Sequence, residues 1–400
     1  MSSRYVYLDY NATTPLRAEV RDLMVEALDI YGNASSMHEL GRAARAEIEA
    51  ARKNVAALIG AKNPSNLYFT SGGSESNNTV FNTMFFHGRA QKRRKIITTS
   101  IEHPCVLNAA AHLGEEGFPV VFLNVDDRGR VDMDQYRREL GLDVLLVSVM
   151  AANNEIGTIE DIREIARLAK EIGAFVHTDA TQAVGKIPVS VDDWGVDYCT
   201  LSCHKIYGPK GIGALYVRSK APIEPLIRGG HQEDGVRAGT YNNLGIIGFG
   251  EAARLAAAEL GEYAAHTSRL RNLLRDLIVE RIPSARINGD PDNLLPNTLN
   301  VSFPGAEGES ILLSLDLEGI EVSTGSACAS GSLDPSHVLI AIGLGPELAH
   351  GSIRFSLGKY TTEEDIRYVG EKLPPIIARL RKMSTVPFEQ IAVAGHHRGV

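Results

Sequence analysis

The sequence predicts an α/β protein of two domains: a large one on a mixed, mainly parallel sheet, and a smaller α+β one. Three observations carry that reading. Strand-like and helix-like segments alternate through residues 66–217, a continuous apolar run of strand length occupies 143–149, and after about Gly250 the chain becomes Ala/Leu/Arg/Glu-rich and helical in texture.

Taken in order, Asn66-Leu-Tyr-Phe-Thr70 reads as a first strand and 77–86 as a helix. Residues 95–99 form a second strand, 106–113 a helix and 120–123 a third strand. The 143–149 run lacks alternation, as expected for a parallel strand covered on both faces. Segment 159–172 places Ile162, Ile165, Leu168, Ala169 and Ile172 on one helical face, and Gly173 stands where a helix C-terminus takes glycine. Strands at 174–179, 198–201 and 213–217 follow, the last two flanking the glycine-rich Tyr207-Gly-Pro-Lys-Gly-Ile-Gly213. Such alternation argues for helices on both faces of a parallel sheet. Residues 251–281 read as a long inter-domain helix with Gly261 as a candidate break. Strands at 298–303 and 353–357 and helices at 308–317 and 362–381 compose the smaller unit, and 384–400 reads as a loosely held tail. The expected division is 16–255 for the large domain, with 1–15 and 256–400 forming the small one.

Composition narrows the function. Hydrophobic residues make up 44% and charged residues 22%, which excludes a disordered chain. The net charge is −8 with no basic block, which argues against nucleic acid as partner. Four cysteines (Cys105, Cys199, Cys203, Cys328) are too few for a disulfide framework. The N-terminal stretch lacks the basic-then-apolar pattern of a signal peptide, and no window reaches the roughly 18 apolar residues of a membrane span. A cytosolic enzyme, with no membrane contact, is the expectation.

In an open parallel sheet, ligands bind beyond the carboxyl ends of the strands. The first strand delivers Thr70-Ser-Gly-Gly-Ser-Glu-Ser76 ahead of a helix, which reads either as a phosphate site on free N–H groups or as a tight turn needing glycine. The second delivers Glu102-His103-Pro104, a histidine that can stack on a planar ligand or shuttle protons, or simply be solvated. The 143–149 strand delivers Asn153-Asn154-Glu155, ligand contacts or a helix cap. The next ends in Asp179 with Gln182 beyond, and the one after leads to Ser202-Cys203-His204-Lys205. An aspartate at one strand end and a lysine past the next suit pyridoxal phosphate, which a lysine holds as a Schiff base while a carboxylate keeps its ring nitrogen protonated. In the small domain, Cys328 lies amid Ser, Gly and Ala, a context for an exposed nucleophile or sulfur carrier. The other three cysteines lie in strand or helix patterns and are expected to be buried and structural. Arg354, the one charge in an apolar strand, suits either a carboxylate ligand or a structural ion pair.

With these motifs in hand, the chain resembles the cysteine desulfurases of the NifS/IscS class, fold-type-I pyridoxal-phosphate enzymes of class-V aminotransferase type. The resemblance runs from Tyr7-Leu-Asp-Tyr-Asn-Ala-Thr-Thr-Pro15 to about Leu380. It is carried by Gly32-Asn-Ala-Ser-Ser36, Thr70-Ser-Gly-Gly-Ser-Glu-Ser76, Asn153-Asn-Glu-Ile-Gly157, His177-Thr-Asp-Ala-Thr-Gln182, His204-Lys-Ile-Tyr-Gly-Pro-Lys-Gly211, Arg237-Ala-Gly-Thr240, Gly325-Ser-Ala-Cys328 and Arg354-Phe-Ser-Leu-Gly358. Arg228-Gly-Gly-His-Gln-Glu233 and Gly331-Ser-Leu-Asp-Pro-Ser-His337 look closer to the nitrogen-fixation branch than to the housekeeping one.

The resemblance implies that Lys205 carries the cofactor, that Asp179 pairs with its ring nitrogen, and that His103 stacks on the ring and moves protons. It implies Gly73, Ser74, Ser202 and His204 at the phosphate, joined by Thr240 of the partner subunit in a homodimer, and Gln182 at the ring hydroxyl. Asn154, Asn33 and Arg354 are implied to hold the substrate carboxylate, and Cys328 to be the nucleophile; no metal is implied. The implied reaction converts L-cysteine to L-alanine, leaving the sulfur on Cys328 as a persulfide for a sulfur-acceptor protein such as an iron–sulfur scaffold. An aminotransferase, a selenocysteine lyase or a non-catalytic sulfur carrier are the alternatives, and the intact Asp179, His103 and Lys205 set speaks against the last. Three departures stand out: Cys203 where the family often has glycine, which is expected to crowd the cofactor; Ser74 where threonine is common; and a C-terminus unlike the family's scaffold-docking tail.

Overall fold

The computed structural model describes residues 4–90, 93–324 and 334–384. Its centre is a seven-stranded sheet in the order Leu67–Thr70, Gly213–Val217, Tyr198–Ser202, Phe175–Asp179, Val144–Ser148, Lys95–Thr99 and Val120–Leu123. All neighbours from Tyr198–Ser202 to Val120–Leu123 run parallel, while Gly213–Val217 is antiparallel to both strands beside it. Every residue of Val144–Ser148 is buried, as its unbroken apolar run requires. Helices Gly73–Arg89, Pro104–Glu115 and Ile162–Glu171 follow the strands as the alternation predicts. The helix Glu39–Leu58 was not anticipated; it packs Ala44, Ile48, Ala51 and Val55 against the main core.

A three-stranded antiparallel sheet, Ser352–Ser356, Thr298–Ser302 and Arg286–Asn288, forms the second centre. Its core takes Val6 and Leu8 from the N-terminal segment, Leu270, Leu274 and Ile278 from the long helix, and Ile366, Val369 and Leu373 from Glu363–Met383.

The long helix runs without interruption from Asn243 to Arg281, so the break considered at Gly261 does not occur. Its buried residues fall in two groups, Gly245 to Leu255 against the large core and Thr267 to Ile278 against the small one. No residue of the stretch between them is fully buried, and the helix persists there because both ends are anchored by packing. Cys328 falls in 325–333 and most of the expected tail in 385–400, both outside the described residues.

Candidate active site

The carboxyl ends of the parallel strands open into a cleft of about 380 Å³. Strand Leu67–Thr70 ends and the chain turns through Ser71 and Gly72 into the helix Gly73–Arg89, which places Gly73 and Ser74 at the cleft wall. A Cβ on Gly73 would stand 3.2 Å from Thr181 Oγ1, so a larger residue would fill this corner. Strand Lys95–Thr99 delivers His103, which caps the helix Pro104–Glu115 by accepting from the Cys105 N–H at 3.2 Å. That contact occupies Nδ1, so the proton of the neutral ring sits on Nε2. Burial lowers the His103 pKa, opposed by the Asp179 charge and helped by those of Lys205 and His337.

The Asn153-Asn154 pair divides its work. Asn153 Oδ1 accepts from the N–H groups of Glu155 at 2.8 Å and Ile156 at 3.0 Å, a turn-closing role, whereas Asn154 lines the cleft. Strand Phe175–Asp179 delivers Asp179, which is buried and accepts from Asn77 Nδ2 at 2.8 Å and the Thr181 N–H at 2.9 Å. Beneath it His177 is fully buried, and burial pushes its pKa down to about 4. Strand Tyr198–Ser202 delivers Ser202, His204 and Lys205 to the cleft. His204 is likewise pushed down to about 4, by burial first and then by Lys205, Lys210 and Lys186. Lys205 Nζ donates to the backbone carbonyls of Asn11 at 2.5 Å and Ala12 at 2.8 Å.

Arg354 reaches the cleft from the small sheet. It donates to Asp9 Oδ1 at 2.7 Å and to the Asn154 carbonyl at 3.1 Å, while its Nε is buried with no hydrogen-bond partner. It is therefore in an ion pair and at the cleft wall at once. Gln182 also lines the cleft, donating to the Asn11 carbonyl and accepting from Lys186.

Three buried polar atoms of cleft residues lack partners: Arg354 Nε, Asn77 Oδ1 and Thr181 Oγ1. Such orphans are costly unless a ligand satisfies them. Together with a lysine, a buried carboxylate one strand away and a helix N-terminus, they fit pyridoxal phosphate.

Four expectations need correction or placement. Asn33 is exposed, with its Oδ1 accepting from the Ser35 N–H at 2.9 Å, and it is not among the residues lining the cleft. Thr240 is exposed and likewise outside this chain's own cleft. Cys203 does not crowd the cofactor site: its side chain is fully buried and turned toward Gly208, where a Cβ would come within 2.1 Å of Sγ. Cys105, expected to be a buried structural thiol, instead lines the cleft, with Sγ 2.9 Å from His103 Nδ1 and 3.1 Å from Asn77 Nδ2. Cys199 is fully buried, as expected.

Sequence reasoning gave no role to Asn11, Asn77 or Thr181. Asn11 is a hub. Its side chain donates to Thr298 Oγ1 at 2.8 Å and the Asn154 carbonyl at 3.2 Å, and accepts from Asn297 and Lys186, both at 3.0 Å. Its position inside Tyr7-Leu-Asp-Tyr-Asn-Ala-Thr-Thr-Pro15 was the available signal.

Fold and cleft together define a pyridoxal-phosphate enzyme, and the chain belongs to the class-V aminotransferase family, whose model matches residues 6–369. Its relatives include the cysteine desulfurase IscS of Dictyoglomus turgidum (strain DSM 6724 / Z-1310), 51% identical over 388 residues, covering 97% of this chain and 98% of that protein. The cysteine desulfurase IscS of Clostridium botulinum (strain Hall / ATCC 3502 / NCTC 13319 / Type A) is 46% identical over 385 residues, 96% of each. Among solved structures, a NifS-like protein superposes with a TM-score of 0.88 at 40% identity, covering 94% of this chain and 100% of that one. The apo cysteine desulfurase of Thermococcus onnurineus NA1 gives 0.84 at 26% identity, over 94% and 95%.

Proposed function

We propose that this cleft converts L-cysteine to L-alanine and passes the sulfur to Cys328 as a persulfide; the chain is a pyridoxal-phosphate-dependent cysteine desulfurase. The observation that carries the reading is the pairing of Lys205 and Asp179 across one cleft with Arg354 at its wall. Lys205 would attach the cofactor, Asp179 would pair with its ring nitrogen and Gln182 with its ring oxygen, while Gly73, Ser74, Ser202 and His204 would hold the phosphate. When bound, the cofactor supplies an electron sink for the substrate's α-carbon. Arg354, with Asn154, holds the substrate carboxylate through a planar fork suited to it. Lys205 Nζ takes the α-proton, and His103 gives and takes back its Nε2 proton beside the ring. The Cys328 thiolate attacks the substrate sulfur. One C–S bond breaks and one S–S bond forms, leaving alanine and the Cys328 persulfide with atoms and electrons balanced.

Both ends of the segment holding Cys328 start at this cleft. Ser323 pairs with Arg354 through Arg354 N–H to Ser323 O at 2.7 Å. On the far side, Ser336 donates to Glu155 Oε2 at 2.5 Å, and His337 Nε2 lies 3.0 Å from the Glu102 carbonyl oxygen, one residue before His103.

A homodimer, a sulfur-acceptor protein such as an iron–sulfur scaffold, and a cytoplasmic location complete the reading. No helix among the described residues is long and apolar enough to cross a membrane. Exposed Thr240, outside its own cleft, supports a dimer in which it serves the other one. The two packed cores support a large domain at 16–255 and a small one from 1–15 and 256–400.

The test uses purified holoenzyme, cysteine and reductant, following sulfide, alanine and a mass gain of one sulfur on Cys328. Cys328→Ala keeps the cofactor's visible absorbance and loses sulfide release, whereas Lys205→Ala loses the covalent attachment. Full turnover by Cys328→Ala sinks the assignment; a 2-oxo acid in place of alanine indicates an aminotransferase.

A further inference from the structure

Lys186 is the one lysine among the largest fully buried side chains of the described residues, at 2% exposure. No carboxylate forms a salt bridge with it among the described residues. Its Nζ donates to Gln182 Oε1 at 2.5 Å and to Asn11 Oδ1 at 3.0 Å. The charged groups that act on it, Lys205 and Arg354, are both cationic, and burial together with them holds its pKa well below the usual lysine range. Two side-chain oxygens thus accept from this one nitrogen.

The contacts fix atoms that face the cofactor. Gln182 Oε1 must accept from Lys186, and Gln182 Nε2 donates to the Asn11 carbonyl at 3.0 Å. Flipping that amide would set donor against donor at Lys186 and acceptor against acceptor at Asn11. One orientation is thereby selected, leaving the second Nε2 hydrogen for the cleft. The Asn11 carbonyl also receives Lys205 Nζ, and the Asn11 side chain is held by Lys186. Lys186 stands four residues after Gln182 in the turn that leaves strand Phe175–Asp179. That turn approaches Ile206 so closely that a Cβ on Gly185 would lie 2.7 Å from Ile206 Cγ2.

We propose that Lys186 is a positioning residue of the cofactor site: it locks the Gln182 amide with its nitrogen toward the cofactor and, through the Asn11 side chain, steadies the residue whose backbone carbonyl receives the Lys205 amine. The inference rests on the assignment of Lys205 and Gln182 to pyridoxal phosphate.

The test is a double-mutant cycle of Lys186→Met and Gln182→Leu on cofactor-loaded protein, read as the pH midpoint of the cofactor's visible absorbance change and as cofactor affinity. Lys186→Met is expected to weaken cofactor binding about tenfold, since two buried acceptors lose their donor, and to move the midpoint by about one pH unit. In the Gln182→Leu background the same substitution has a smaller effect, because only the route through Asn11 remains. Equal effects in both backgrounds, or a wild-type midpoint in Lys186→Met, overturn the proposal. Should Lys186→Met fail to fold, Lys186→Gln retains N–H donors without the amine; it is expected to keep the wild-type midpoint, and a displaced one overturns the proposal. Lys205→Ala, which abolishes the absorbance change if Lys205 carries the cofactor, separates failure of this inference from failure of the underlying assignment.

Discussion

Arg354→Lys tests how the cleft recognises its substrate. The guanidinium is 3% exposed and spans two fixed acceptors, Asp9 Oδ1 at 2.7 Å and the Asn154 carbonyl at 3.1 Å, with Nε left over in the cleft wall. Lysine keeps a positive charge opposite Asp9, so the substitution avoids a buried carboxylate without a partner. What it removes is the fork, because one ammonium cannot hold Asp9 and a bidentate substrate carboxylate together. A hydrogen bond to a charged group contributes about 1.5–3 kcal/mol, and each ~1.4 kcal/mol is tenfold, so kcat/KM for cysteine falls by about 10- to 150-fold. The carboxylate is bound alike in ground and transition states, which places the loss in KM. The assay is steady-state sulfide release against cysteine concentration, with the cofactor's visible absorbance as the control for site integrity. An unchanged KM, or a loss of bound cofactor as large as the loss of activity, refutes the carboxylate role.

Glu160→Gln addresses pH-dependent stability. Burial raises the Glu160 carboxyl to about 8, so between 4.5 and about 8 the folded chain binds more protons than the unfolded one and stability falls as pH rises. His177 and His204, with pKa values lowered to about 4, act in the opposite sense only below about 6.5. Between pH 6.5 and 8 the thermal midpoint of Glu160→Gln therefore falls less steeply than that of the wild type, and an equal slope contradicts the assignment. Gly261→Ala raises stability by about 0.5–1 kcal/mol, because Gly261 is mid-helix and a Cβ there meets nothing within 4 Å. A lower denaturation midpoint for that variant would mean that the helix does bend at Gly261.

Strand-end reasoning found Ser74, His103, Asn154, Asp179, Ser202, His204 and Lys205, all of which the fold brings to one cleft. It works because a parallel sheet aligns the carboxyl ends of its strands. Asn11 escaped it because it comes from the N-terminal segment and meets Gln182 and Lys205 through its backbone carbonyl, which no side-chain chemistry announces. Asn77 escaped because it lies a helical turn past its strand end, and Thr181 because a lone hydroxyl between Asp179 and Gln182 announces no particular chemistry. The helix Glu39–Leu58 did carry a signal, since Ala44, Ile48, Ala51 and Val55 repeat at helical spacing, but small alanines make a faint stripe. Asn33 is a different case. It belongs to a family motif, yet its side chain is used in a local turn of an exposed segment.

Sulfur transfer needs one thiol that ionises and others that do not, and the fold separates them. Cys105 is the dangerous one, since it stands in the cleft beside His103. A thiolate is the nucleophile, but burial pushes the Cys105 thiol up to about 11, with the Asp179 charge adding to it, so it stays protonated where the enzyme works. Cys199 and Cys203 are fully buried, and burial raises both. The carboxylate proposed to meet the cofactor would thus help to silence the thiol nearest to it. That leaves Cys328, on a segment whose first end is tied by backbone hydrogen bonding at Ser323 to the strand residue Arg354. In the proposed reaction, substrate carboxylate and sulfur acceptor would both be referenced to this one backbone bridge, so a register error between 323 and 354 would misplace both at once.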